Sequence, residues 1–351
     1  MDHCDVIGID QRGTGNSLPN LSTGPDFAWE LPANRVLTRA NVVAAQKEAM
    51  TQAAAYWKEE GVDLAAYNTA ESADDLEDVR RAIGLDKVAL WGTSYGSHLG
   101  LAYLRQHPES IDRAVLTKVE GPDHTFKLPS QVQAKLEGVH AKLQEDAAAQ
   151  EIPDLLGLVR DLLTELAEEP AVAVVDVDGK ETEILCGAYD LQRAIADHLA
   201  DTRGHVFLPA FVNRVAHGDY RELGQRALQH RRGDMWSGMA MMMDCSSGMS
   251  DKRARIYERE REDPKNLLSD ALVAPLYPAT CEGCGSPDLG EPFRAPFDCD
   301  VPILFVSGTL DARELISEDY RELLTAFLYG DELEDTTIAL RWDRFAPVQV
   351  E

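Results

Sequence analysis

Between residues 87 and 119 the chain reads as a short apolar run, a glycine-punctuated turn, a helical pattern and a second apolar run. These are Lys87–Trp91, Gly92-Thr93-Ser94-Tyr95-Gly96, Ser97 to Gln106 (stopping near Pro108), and Ala114–Val119. Two buried strands joined through one helix lie parallel, because a crossover of that length returns the chain to the same end of the sheet. Asp5–Asp10 reads as another buried strand, and Val301–Val306 as a further one. Ser72-Ala73-Asp74-Asp75 fits a capping box for a helix running to about Ile83 and ending at Gly84. The expected fold class is α/β: a mostly parallel sheet with helices on both faces.

From about residue 122 the pattern becomes helical. Helices are expected at 37–60, 130–150, 153–168, 189–199, 208–230 and 250–261. A hairpin at 173–177 and 181–185 turns at Asp178-Gly179, a strong two-residue hairpin signal. The expected domain organisation is a first core part, 1–121, a mostly helical insertion, 122–297, and a last core part, 298–351. With 44% apolar residues the chain can pack such a core.

Charge limits the partners. There are 61 acidic and 34 basic side chains, a net of -27. That field opposes phosphate backbones and anionic lipid, so neither nucleic acid nor a membrane surface is an expected partner. No apolar run reaches the roughly 18 residues that a membrane-spanning helix needs. The first residues show no basic region followed by an apolar stretch, so no signal peptide is read there. Of six cysteines, Cys281 and Cys284 form a lone C-x-x-C, read as a local disulfide or two free thiols; no metal is expected. Cysteine usage leaves the compartment open between cytoplasm and export, and the oligomeric state is not read from the sequence.

The chemistry points to Ser94. In Gly92-x-Ser94-x-Gly96, placed between a strand and a helix, the glycines allow a sharp turn that lifts the serine hydroxyl above the strand ends. The next amide, that of Tyr95, points to the same spot and can bind an oxyanion. Such a hydroxyl needs a base, and the base needs an orienting acid. Asp311, in the turn after the strand Val301–Val306, is either that acid or a loop-capping aspartate. His124, in the loop after the strand 114–119, is a candidate surrogate base or a surface histidine. His98 is expected in packing, and His107 at the end of its helix.

These residues carry a resemblance. Asp10-Gln11-Arg12-Gly13-Thr14-Gly15-Asn16-Ser17 resembles the DQRGTGxS signature of the proline iminopeptidase and tripeptidyl aminopeptidase group of α/β-hydrolases. Gly92 to Ser97, with Leu99 to Tyr103 and His107-Pro108, is similar to that group's nucleophile elbow and its helix, and Ser307 to Asp311 to its acid-bearing turn. The resemblance implies an α/β-hydrolase fold with a helical cap, Ser94 and Asp311 in catalysis, and Asp10, Arg12, Gly13, Gly15, Gly92 and Gly96 supporting the motifs. It implies no cofactor and a peptide or a small amide or ester as substrate. Two departures stand against it: no HGGPG loop, the family's second oxyanion donor, occurs in the sequence, and no histidine follows His230. Loss of a triad histidine costs about a million-fold and loss of one oxyanion donor about a hundred- to a thousand-fold. The expectation is a serine hydrolase of aminopeptidase type with activity near background. A non-catalytic binding protein and an esterase are the alternatives. With no strand before it, Asp5–Asp10 is also expected to leave an unpaired, aggregation-prone edge.

Overall fold

In the computed structural model the described residues are 5–21, 27–146, 151–200, 202–233, 238–271, 281–306 other than 283, and 327. A two-residue strand, β1 (Trp29–Glu30), precedes α1 (Arg39–Glu59). Thr38 caps α1 by a reciprocal exchange: its hydroxyl accepts from the Asn41 amide, and the Asn41 side chain accepts from the Thr38 amide. Helix α2 (Thr69–Ala82) begins three residues before the expected Ser72 start, because Asn68 is its cap, accepting from the Glu71 amide. Asp75, the expected far half of the capping box, is held by the Arg12 fork, and Ser72 is buried inside the helix. Gly84, in the left-handed region at φ 73°, follows the end of α2.

Among the described residues the core sheet has three strands. β2 (Val88–Thr93) leads through α3 (Tyr95–Gln106) to β3 (Ile111–Thr117), and β7 (Ile303–Val306) pairs on the far side of β3. All pairings are parallel, and the register sets Thr93 opposite Thr117 and Thr117 opposite Val306, so the three strands finish level. Leu101, Leu104, Ala114 and Leu116 pack with Ala73 into one apolar cluster. Gly100 is where α3 presses closest: an added Cβ would lie 3.0 Å from Leu116 Cδ2.

The expected strand at Asp5–Asp10 is not formed. These residues pair with no strand among the described residues, and Val6, Ile7 and Ile9 are exposed. An apolar run becomes a buried strand only where a neighbour supplies both hydrogen bonds and a covering face. The segment expected to form an unpaired sheet edge thus makes no ladder with a described strand.

The remaining elements are α4 (Pro129–Leu143), α5 (Leu155–Glu168), β4 (Ala171–Val177), β5 (Lys180–Cys186), α6 (Ala188–Ala200), α7 (Thr202–Ala216), α8 (Arg221–Arg231), β6 (Arg232–Gly233), α9 (Gly238–Ser247), α10 (Asp251–Arg261) and α11 (Gly290–Arg294). The β4–β5 hairpin turns at Asp178-Gly179, both at positive φ, which matches the twist of the strands. The single helix expected over 208–230 is two helices, split where Gly218 takes φ 83°. The helix from 130 ends at Leu143 rather than Gln150; residues 147–150 lie outside the described set. The cap helices bury their own apolar cluster, drawn from residues between Val132 and Leu268. A second cluster sets Met50 and Trp57 of α1 against Met239, Met242 and Met243 of α9.

Candidate active site

The turn at Ser94 is a strained point of the chain. Ser94 has φ 56° and ψ -126°, a conformation an L side chain rarely adopts and one that persists only where its surroundings enforce it. Three bonds do so: the Ser94 amide donates to Thr117 O at 3.1 Å, and the Ser97 amide and hydroxyl both donate to Ser94 O, at 2.8 and 2.6 Å. The glycines are required sterically at one of the two positions. A Cβ on Gly92 would meet Gly96 O at 2.3 Å, whereas one on Gly96 would meet nothing within 4 Å. Ser94 is exposed and stands at the level carboxyl ends of the strands, where an α/β sheet places its functional groups.

Tyr95 opens α3, so its amide is among the first-turn donors that have no partner within the helix. Among the described residues it has no hydrogen-bond acceptor. The Tyr95 phenol turns the other way, to Thr69 Oγ1 at 3.2 Å, and burial raises its pKa.

Asp311, with the turn Ser307 to Leu310, lies outside the described residues. The strand before it, β7, ends at Val306, level with Thr117. His124 is exposed in the loop between β3 and α4, and its ring makes no hydrogen bond to a described residue. Desolvation and the Arg253 charge lower its pKa, with Asp123 acting in the opposite direction. Asp123 itself is engaged by Ser250, which bonds to it through both its amide and its hydroxyl.

The residues of the first motif are brought together, but against α2 and not against Ser94. Arg12 forks onto Asp75 with two bonds of 2.7 Å and also donates to Ala66 O, Glu71 O and the Glu71 carboxylate. Asp10 accepts from the Asn16 amide and side chain, both at 3.0 Å. Gly15, at φ 53°, has the Asp10 carboxylate where a Cβ would sit, 2.3 Å away, and Gly13, at φ 78°, lies against Tyr67 and Leu21. The motif is a latch that ties the 10–17 turn to the helix before the elbow.

Two acidic groups beside the elbow were not picked out from sequence. Asp244 on α9 and Glu120 after β3 both act electrostatically on Tyr95. Burial, with Glu120 adding, pushes the Asp244 carboxyl up to about 7, and Lys127 opposes the shift. Lys127 also bonds Glu120 at 2.9 Å. Asp244 sits in the run Met241-Met242-Met243-Asp244-Cys245, which carries no local signal of a site; only its place in space does.

The cysteine expectation is corrected here. Cys281 pairs with Cys245, while Cys284 stays a free, buried thiol, because Cys245 on α9 faces Cys281 across an apolar cluster. Among the described residues no three His, Cys, Asp or Glu side chains are placed to hold a metal ion, and no helix is long and apolar enough to cross a membrane.

The first 169 residues match the family described as alpha/beta hydrolase fold. The fold is that of an α/β hydrolase. The chain is similar to the tripeptidyl aminopeptidase of Streptomyces lividans, 32% identical over 120 residues, which cover 34% of this chain and 22% of that relative. It is similar to a probable proline iminopeptidase of Streptomyces coelicolor, 30% identical over 114 residues, covering 32% and 24%. With the proline iminopeptidase of Neisseria meningitidis serogroup B it shares 27% over 111 residues, 32% and 23%. The matched part thus spans less than a quarter of these relatives' length. The peptidase names belong to those relatives, and what this chain shares with them is confined to that part.

Proposed function

We propose that the chain is a serine hydrolase of the aminopeptidase type, in which Ser94 Oγ attacks the carbonyl of a peptide or small amide and forms an acyl-enzyme. The observation that carries this reading is the enforced, exposed Ser94 turn at the carboxyl ends of a parallel sheet. The attacking hydroxyl loses its proton to a base as the Oγ–C bond forms. The carbonyl oxygen takes the electron pair and is met by the Tyr95 amide. Collapse expels the amine, which takes up the proton, and water then releases the acid. Asp311 would orient the base, and His124 is the candidate base among the described histidines.

The aminopeptidase class is favoured over an esterase by the Asp244 carboxyl beside the elbow, which in its ionised form suits the protonated amine of a free N-terminus. Amino-acid arylamides and p-nitrophenyl esters separate the two: arylamide turnover above background that Ser94→Ala abolishes supports the proposal. Ester cleavage without arylamide cleavage would point to the esterase.

A second reading, a non-catalytic binding protein on the same scaffold, is favoured by one observation: among the described residues no histidine is hydrogen-bonded to Ser94. A fluorophosphonate probe decides it. Ser94 labelling sinks the second reading. No labelling, together with retained binding of free-amine peptides, sinks the first.

A further inference from the structure

Three buried polar side chains and the half-buried Tyr95 phenol form one chain of hydrogen bonds beneath the elbow. Tyr95 Oη lies 3.2 Å from Thr69 Oγ1, Thr69 Oγ1 lies 3.3 Å from Ser247 Oγ, Ser247 Oγ lies 3.0 Å from His98 Nε2, and His98 Nδ1 lies 3.2 Å from Gly121 O. Thr69, Ser247 and His98 are all at most 2% exposed. The direction of the chain follows from its end. A carbonyl oxygen only accepts, so His98 Nδ1 carries the proton, and Nε2 of the neutral ring must accept from the Ser247 hydroxyl. Ser247, its one proton spent, accepts from Thr69, and Thr69 in turn accepts from the Tyr95 phenol. Met243 Sδ, 3.3 Å from Thr69 Oγ1, is a competing but weaker acceptor for the Thr69 proton. Desolvation lowers the His98 pKa, against the Gly121 carbonyl and Glu120, which keeps the ring neutral as this order requires.

The chain joins four parts of the fold: α2 through Thr69, α3 through Tyr95 and His98, the loop after β3 through Gly121, and cap helix α9 through Ser247. The loop closes the circuit, because the Glu120 amide donates to Ser97 Oγ at 2.8 Å and Ser97 Oγ donates to Ser94 O. We infer that Ser247 seats cap helix α9 against the elbow by two routes, through Thr69 to Tyr95 and through His98, a positioning residue protonated at Nδ1, to the Gly121 loop and Ser94. This rests on the proposed role of Ser94 and Tyr95, but its structural content can be read without turnover. A misplacement of the elbow by a fraction of an ångström is enough to change reactivity there.

The test uses the full chain labelled with 15N-histidine and 15N-tyrosine, in wild type, Ser247→Ala and His98→Asn. Asparagine reproduces the Nδ1 donor to Gly121 O but cannot reach Ser247. The expected result is an Nδ1-protonated His98 in wild type and a displaced, faster-exchanging Tyr95 amide in both variants. The fluorophosphonate labelling rate of Ser94 should fall about tenfold, with KM for an arylamide nearly unchanged. An Nε2-protonated His98, or a Tyr95 amide that neither variant moves, overturns the inference. An unlabelled wild-type Ser94 would instead overturn the proposed function, leaving the Tyr95 and His98 resonances to judge this inference separately.

Discussion

At the scale of single residues, the fold depends on groups that cannot be exchanged without moving backbone. Gly92 is the clearest. Its Cβ would sit 2.3 Å from Gly96 O, which is main chain in the first turn of α3 and has nowhere to go. Gly92→Ala should therefore push α3 off β2, abolish probe labelling of Ser94, and lower unfolding free energy by about 2–4 kcal/mol in urea titrations. Gly96→Ala, with open space around it, should do neither. Asp244 makes a pH-dependent prediction. Its folded-state value is raised to about 7, so ionisation opposes folding: the stability is fully present with the carboxyl protonated and is lost as pH rises from the ordinary carboxylate range through about 7. Asp244→Asn should match wild type near pH 4 and exceed it in stability near pH 8, by on the order of 2 kcal/mol. If the carboxylate also holds the substrate amine, the same variant raises KM for free-amine arylamides about tenfold and leaves N-acetylated ones unchanged. Equal urea midpoints of the two proteins near pH 8 would show that Asp244 is not held up as described.

At the scale of elements, the strand–elbow–helix–strand unit was legible because each part has its own local signal: two apolar runs, two glycines at fixed spacing and a helical pattern closed by proline. The hairpin at Asp178-Gly179 was legible for the same reason. Where two local signals competed, tertiary contacts chose. The helix expected to open at Ser72 opens at Asn68 instead, while Arg12, 63 residues away, holds Asp75. Helices α7 and α8 read as one because apolar periodicity continues across Gly218. The Asp5–Asp10 run pairs with no strand among the described residues, so its apolar pattern alone did not make it one. Nor does spacing reveal that Cys281 pairs 36 residues back with Cys245 rather than with Cys284. That bridge ties α9, which bears Asp244 and Ser247, to the segment at 281. Closing a loop of that size removes unfolded-state freedom, so Cys245→Ser or reduction should cost about 3–4 kcal/mol, measured by chemical denaturation. A midpoint insensitive to a dithiol reductant would show that the bridge carries no such constraint.

At the scale of the whole molecule, the candidate site was half legible. Ser94, Tyr95 and the motif glycines announce themselves, while Asp244, Glu120 and the Thr69–Ser247–His98 chain come from segments up to 178 residues apart that only the folded chain brings together. The proposed division at about 122 and 297 bears on how such a molecule unfolds. The cap cluster, Val132 to Leu268, and the sheet cluster, with Ala73, Leu101 and Leu116, share no residue. Deep in the cap, Arg231 donates to Asp190 at 2.5 Å and to Ala227 O, Leu185 O and Arg35 O, with both charged side chains at most 1% exposed. Burial still raises the Asp190 pKa against the pull of Arg231. Removing the cation strands a carboxylate in an apolar interior, at a cost of about 3–5 kcal/mol. If the division is right, Arg231→Ala concentrates that loss in the cap: hydrogen exchange should accelerate across α4 to α8 while β3 and α3 keep their protection. Labelling of Ser94 would then fall less than the cap's stability does, since the bonds that hold the Ser94 backbone come from β3 and α3. The strand β1 should follow the cap, because it pairs with β6 immediately after Arg231. Exchange rising equally in β3 would mean that cap and sheet unfold as one unit, and the boundary at 122 would then mark a change of pattern in the sequence without a change of cooperativity in the protein.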